Sequence, residues 1–196
     1  MRAKGLLAAA LAALGWCAAG GCEGRVPPAA EGRQVVRPVL GFAMDVPPNW
    51  TVRDLGGDVV LEAIAQKRGT GEVAQGDAPR AAAAGGGGPT RTVVHVLVIE
   101  REDGSLEAWA DRAVKDSQEL QADLEVVEQA PATLSDGRQA LRLVLKNPRG
   151  VEPIVQKMLL VMTDRSAYAV IATASASDLE AAARDVATCF DTFIVW

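Results

Sequence analysis

One histidine and three cysteines carry most of the reactive chemistry open to this chain of 196 residues. The histidine, His95, stands in Thr92 to Glu100, a run dense in valine, leucine and isoleucine. An imidazole there reads first as a core or edge packing group. One histidine is enough for a Ser-His-Asp triad, which keeps His95 as the candidate base of a hydrolase. The sequence lacks the Gly-x-Ser-x-Gly elbow that would present a serine to it. Zinc needs several His, Cys or carboxylate ligands converging on one point. A single histidine and one spare cysteine, far apart in sequence, make no such cluster. Gly85 to Gly88 lacks the Gly-Lys-Ser/Thr ending of a phosphate loop. The expectation is no catalytic residue, no metal ligand, no cofactor and no enzyme.

Cys22 has the most informative surroundings. Arg2 and Lys4 open the chain with positive charge, Gly5 to Leu14 is apolar, and Ala19, Gly20 and Gly21 lead up to the cysteine. A charged start, an apolar middle and small residues before a cut are the layout of a secretory signal. As a helix, Gly5 to Gly21 would span about 25 Å at ~1.5 Å per residue, short of a bilayer core of about 30 Å. Ala19-Gly20-Gly21-Cys22 resembles the lipobox cut by lipoprotein signal peptidase, with Ala19 where leucine is usual. Leu14-Gly15-Trp16-Cys17 competes; it has the leucine, but Trp16 is bulky just before the cut. An ordinary signal cut, leaving a free thiol, is the third reading. The favoured one makes residues 1–21 a signal peptide and places lipid on Cys22, so that the chain meets a membrane through that lipid. Cys189, the cysteine left over, reads as a small buried apolar group in a helix.

Charge narrows the partners. The chain has a net charge of −5, which becomes about −7 when Arg2 and Lys4 leave with the signal. Nucleic-acid binding depends on clustered Lys and Arg against phosphate, so none is expected. Glu100, Glu102, Asp103 and Glu107 gather where a strand should give way to a helix. They read as a solvated rim, with weak cation binding as the sharper alternative. Trp50 reads as a packed corner residue rather than a ligand stacker. Asn49-Trp50-Thr51 is a chance match to a glycosylation sequon.

The elements that would position these groups follow from patterning. Residues 22–38 are rich in Pro, Gly, Ala and charge and are expected to be a flexible tether. Val39 to Val46 reads as a strand ending at Pro47-Pro48, and Asp58 to Ala65 as a second. Residues 66–91 hold four alanines, four glycines and a proline in a row, with no apolar period. A disordered loop is expected there. In Thr92 to Glu100, Val94, Val96 and Val98 face one way and Val93, His95, Leu97 and Ile99 the other. Apolar residues on both faces require cover on both sides. A helix should follow Ser105, with Leu106, Trp109, Ala110, Ala113, Val114 and Leu120 on one stripe. An antiparallel meander comes next: Leu124 to Leu134, Arg138 to Lys146, Val151 to Thr163 and Tyr168 to Thr173. Asp136-Gly137 marks one of its turns. A last helix is expected, capped by Ser177 with Glu180, and Trp196 is expected to pack down after it.

This order, with Pro47-Pro48-Asn49-Trp50 after a short strand and Phe190-Asp191-Thr192-Phe193 closing the last helix, resembles the PsbP/DcrB-like superfamily. The superfamily's fold is shared with a yeast Ran-binding protein of the Mog type. The resemblance covers about Val39 to Trp196. It implies an α+β fold, an antiparallel sheet flanked by helices, as one domain over residues 39–196. It also implies binding or assembly work, since members include photosystem accessory factors, envelope lipoproteins and a GTPase cofactor. The combined expectation is an envelope lipoprotein, facing the periplasm or exterior, whose domain binds an envelope protein without catalysis. The alternative is a binder of a small apolar or amphipathic ligand between sheet and helix.

Overall fold

The computed structural model describes residues 33–65, 91–101, 103–149 and 152–196. Cys22, the signal segment and the Gly/Ala-rich stretch fall outside them.

Seven strands form the main sheet. β3 (Trp50–Asp54), β4 (Val59–Ala65) and β5 (Val93–Glu100) come first; after α1 (Leu106–Leu120) come β6 (Glu125–Thr133), β7 (Gln139–Asn147), β8 (Ile154–Met162) and β9 (Ser166–Ser175). Their order is β3-β4-β5-β9-β8-β7-β6, with every neighbouring pair antiparallel. β5 lies inside this sheet, and its two-sided apolar pattern is used as expected. Val94 and Val96 enter one core, Leu97 the other.

The second core lies under α1. Trp109, Ala110 and Ala113 pack there with Leu141, Leu143, Leu145, Met158 and Leu160 from β7 and β8. Ser105 caps the helix, its Oγ accepting from the Ala108 amide at 3.2 Å. That bond satisfies a donor the first turn leaves free. The first core lies under the opposite face. Its cover is a second sheet of β1 (Arg33–Arg37), β2 (Phe42–Val46) and β10 (Ile194–Val195), together with α2 (Ala176–Ala181) and α3 (Ala183–Asp191). Phe42, Met44, Val46, Leu179, Val186, Phe190 and Phe193 are buried in it.

Four expectations are corrected. Residues 33–37, assigned to the tether, form β1, which pairs with β2 from Arg33↔Val46 to Arg37↔Phe42. Only Val35 of this strand is buried, so its pattern alone looked like polar linker. Val39 does not begin a strand: Pro38–Leu40 is a 3-10 turn, and Gly41 at φ 71° redirects the chain into β2. Ser177 is not the last helix's cap. β9 runs on to Ser175, whose Oγ accepts from the Asp178 amide at 3.2 Å, and the helix breaks at Ala182 into α2 and α3. Trp196 does not pack down; it is 55% exposed.

The sheets share two ends. Arg33, Val46, Trp50, Ala65, Thr92 and Ser175 mark the proximal end, where the described chain begins. Gly41, Asp54, Glu100, Met162 and Ser166 mark the distal end. The length of β5 separates them, about 25 Å at ~3.3 Å per residue.

Candidate functional site

The distal end holds a cleft of about 610 Å³, built from three turns and the chain's last residue. Its floor is fixed by backbone bonds. The Tyr168 hydroxyl donates to the Leu40 carbonyl at 2.9 Å, and the Trp196 amide donates to the Gly41 carbonyl at 3.0 Å. Gly41 is required twice over. Its φ of 71° disfavours any side chain, and a Cβ would sit 3.0 Å from both the Trp196 carbonyl oxygen and the Tyr168 hydroxyl. Beneath the floor Phe42, Tyr168 and Phe193 form an aromatic cluster with ring centroids 5.8–6.5 Å apart. Aromatic rings in tilted and edge contact make a rigid base.

Two large apolar side chains rise from this base into solvent: Val39, 98% exposed, and Trp196, 55% exposed. Both line the cleft above a hydrogen-bonded backbone, which makes this end a candidate binding surface. Met162 adds a sulfur-bearing edge. The rim is ionic. Arg138 comes from the β6–β7 turn, and Asp164 and Arg165 come from the β8–β9 turn. That second turn is held by Thr163, whose amide donates to the Ser166 carbonyl at 2.8 Å and whose Oγ1 accepts from the Ser166 amide at 3.0 Å. Beyond the turn lies a second cavity, about 600 Å³, lined by Glu100, Arg101, Asp103, Gly104, Asp164 and Arg165.

The residues singled out by type lie elsewhere. His95 is 5% exposed in β5, opposite Glu62 of β4. Its Nδ1 is buried with no hydrogen-bond partner among the described residues. Burial lowers the imidazole pKa, and the Glu62 charge opposes that shift. A side chain so enclosed has no path to a substrate carbonyl. Trp50 is 4% exposed, and its indole N–H donates to Asp185 at 3.0 Å, which makes it the packed corner expected. Cys189 is fully buried, and burial pushes its thiol up to about 12. Such a thiol stays protonated and inert. Of the acidic group, Glu100 and Asp103 line the second cavity with Arg101 between them. Glu107 sits at the start of α1, where its own amide and the Ser105 hydroxyl lower its pKa. Glu102 lies outside the described residues. Among the described residues no three of His, Cys, Asp and Glu gather closely enough to hold a metal ion, and no helix is long and apolar enough to cross a membrane.

Sequence reasoning passed over Val39, Gly41, Arg138, Arg165 and Trp196. One signal was present: Pro38-Val39-Leu40-Gly41 has a proline and a glycine three apart, the marks of a turn, in which Val39 faces solvent while Leu40 packs against the core.

These layers define a PsbP/Mog1/DcrB-like α+β fold. Among solved structures, the chain is similar to the cyanobacterial PsbP protein (CyanoP) of Synechocystis sp. PCC 6803, with TM-score 0.58 and 13% identity over 90% of this chain and 98% of that one. It is also similar to Mog1p, a Ran-binding protein of Saccharomyces cerevisiae, with TM-score 0.54 and 16% identity over 84% and 95%. No protein-family model and no curated protein matches the sequence. At such identities the likeness speaks for the fold alone.

Proposed function

We propose that this protein is a non-catalytic binding module of the cell envelope, held to a membrane by lipid on Cys22, and that it docks a partner protein in the distal cleft. The observation that carries this reading is the pairing of solvent-facing Val39 and Trp196 on a backbone-fixed floor. A tether over residues 22–32 would reach roughly 20 Å as flexible chain. It would join the domain at its proximal end. The cleft would then face away from the anchoring membrane, open to a partner. Ran binding by Mog1p supports protein recognition as work this fold can do.

The small-ligand alternative is less well supported. Under α1 the space is filled by Trp109, Ala110 and Ala113 against leucines. The groove between α3 and β7–β8 encloses about 240 Å³, below the roughly 300–1,000 Å³ usual for a drug-sized ligand.

The test is site-specific photocrosslinking in intact cells. A photoreactive residue in place of Val39 should give one discrete adduct. The same residue at Val127, exposed on edge strand β6, should not. Equal smears from both positions, or no adduct from position 39, would defeat the docking reading. Intact mass of the purified protein tests the anchor separately: a mature chain that begins anywhere other than an acylated Cys22 would refute it.

A further inference from the structure

We infer that β1 and the cleft wall that follows it form one strap, residues 33–41, which releases as a unit: loosening β1 from β2 withdraws Val39 and unseats Trp196 at the distal end. The strap's motion is independent of the docking reading above; its consequence for a partner rests on that reading.

β1 is lightly held. It is an edge strand, paired on one side only, to β2. Val35 is its one buried side chain, while Gln34 and Val36 face solvent. At its distal end Arg37 Nε donates to Asp54 of β3 at 3.0 Å, in a pair open to water. β2, by contrast, has β1 on one side and β10 on the other, and it buries Phe42, Met44 and Val46. An edge with few buried apolar contacts opens at a lower free energy than the core beside it.

The joint between strand and wall is stiff. Pro38 follows Arg37 directly, and its ring fixes φ. A residue ahead of proline is kept out of the helical region, and Arg37 lies outside it, at φ −125° and ψ 81°. The Gly41 amide closes the turn on the Pro38 carbonyl at 3.3 Å. Pro38, Val39 and Leu40 all line the cleft. Two bonds tie this wall to other elements: Tyr168 of β9 donates to the Leu40 carbonyl, and the Trp196 amide, after β10, donates to the Gly41 carbonyl. Both partners lie outside the strap, so they register its movement. The proposed tether enters at Arg33. A pull there loads the ladder of β1 along its length, and the far end of that ladder is the wall an occupant would touch. By linkage, an occupant that holds Val39 also holds β1 on β2.

The experiment uses the full chain in detergent micelles. Amide exchange is read residue by residue by NMR, and 5-fluorotryptophan reports the rings; Trp196→Phe assigns the one fluorine signal it removes. Val35→Ala removes the buried anchor of β1 and alters no residue that lines the cleft. The expected result is exchange at least ~10-fold faster, by one common factor, at the β1 amides, Gly41 and Trp196, with β5 and β9 unchanged. The Trp196 fluorine signal should move as well, and the Trp109 signal, on the other face of the main sheet, should stay in place. Asp54→Asn weakens the ion pair from the β3 side and should give the same pattern to a smaller degree; it decides alone if Val35→Ala does not fold. Faster exchange confined to residues 33–37 would overturn the inference, because β1 would then fray without the wall. Equal acceleration through the whole chain would overturn it too, since β1 would open only with the domain. So would no change in either variant, which would mean that neither fastening holds the strand. All of this is read on the protein alone. A failed Val39 crosslink therefore leaves the strap standing, and a failed strap leaves the docking reading standing.

Discussion

At the proximal end Trp50 is 4% exposed, and Asp185 of α3 holds its indole N–H at 3.0 Å. At the distal end Trp196 is 55% exposed, and only its backbone is bound, to Gly41. Both residues follow a turn or strand end beside the small sheet. One has its polar atom matched and its ring enclosed; the other has its backbone matched and its ring left in water. A buried tryptophan with a satisfied N–H works for stability. A rigidly placed exposed one is available to something else. Position in the chain did not decide between these outcomes; the neighbours did.

The contrast is broken most severely by removing the rings. Trp50→Ala should cost about 3–5 kcal/mol, because it empties a core site and strips Asp185 of its donor. Trp196→Ala should cost under about 1 kcal/mol, as an exposed substitution, yet remove the Val39 crosslink. Urea unfolding of the two variants beside the parent measures this. Equal losses would mean that the two tryptophans are not differently employed.

Gly41→Ala tests whether the distal floor is truly fixed. The new Cβ would meet two oxygen atoms at 3.0 Å and would hold φ at 71° against its preference. A loss of about 1–3 kcal/mol is expected, with a change in the Trp196 fluorine signal. An unchanged signal would show that Trp196 is not seated by Gly41.

The two faces of the main sheet extend the same comparison. On the small-sheet face the inserted polar groups are matched: Thr192 Oγ1 accepts from the Asp45 amide at 2.8 Å, and Tyr168 donates to Leu40. On the α1 face His95 Nδ1 and Gln156 Oε1 are buried without partners among the described residues. The lowered pKa of His95 has its first cause in burial. A folded-state pKa below the unfolded value of about 6.5 means that the unfolded chain binds more protons. Stability should therefore be full above about pH 6.5 and decline as pH falls below it, by at most about 1.4 kcal/mol per unit. His95→Gln should flatten that slope between pH 7 and pH 5. A parent protein with no slope in this range would place His95 among groups that stay hydrated.

Much of this fold was legible because its signals are local. Asp136-Gly137 makes its turn, with Gly137 at φ 84°; Ser105 caps α1; β5 shows its two covered faces. What was illegible depends on distant partners. β1 is a strand because β2 pairs with it, and β2 has a second neighbour only because the chain returns at β10, some 150 residues later. The cap moved from Ser177 to Ser175 because β8 keeps β9 extended as far as Ser175, which pairs with Ile154. The distal cleft was hidden for the same reason. Val39, Arg138, Arg165 and Trp196 come from four separated places and carry no shared motif. Histidine and cysteine drew attention by their chemistry, and His95 and Cys189 lie in the interior.

The smallest expected effect gives the finest comparison, between two aspartates on one helix. Asp185 of α3 holds the Trp50 indole, and Asp191, at its other end, holds Arg142 of β7 at 3.0 Å. Arg142 and Asp191 are 51% and 62% exposed, so water screens the pair and two flexible side chains must be ordered to form it. Arg142→Ala should then cost no more than about 1 kcal/mol, and less in 0.5 M salt. Asp185→Asn keeps an acceptor for the indole and should also be mild, whereas Asp185→Ala leaves a buried N–H unmatched and should cost about 1–3 kcal/mol. If Arg142→Ala proved the more damaging, α3 would be held on the sheet by its charge rather than by Val186 and Phe190 in the core. The proximal corner would then not be what fixes the helix, and the two ends of the molecule would differ less than their tryptophans suggest.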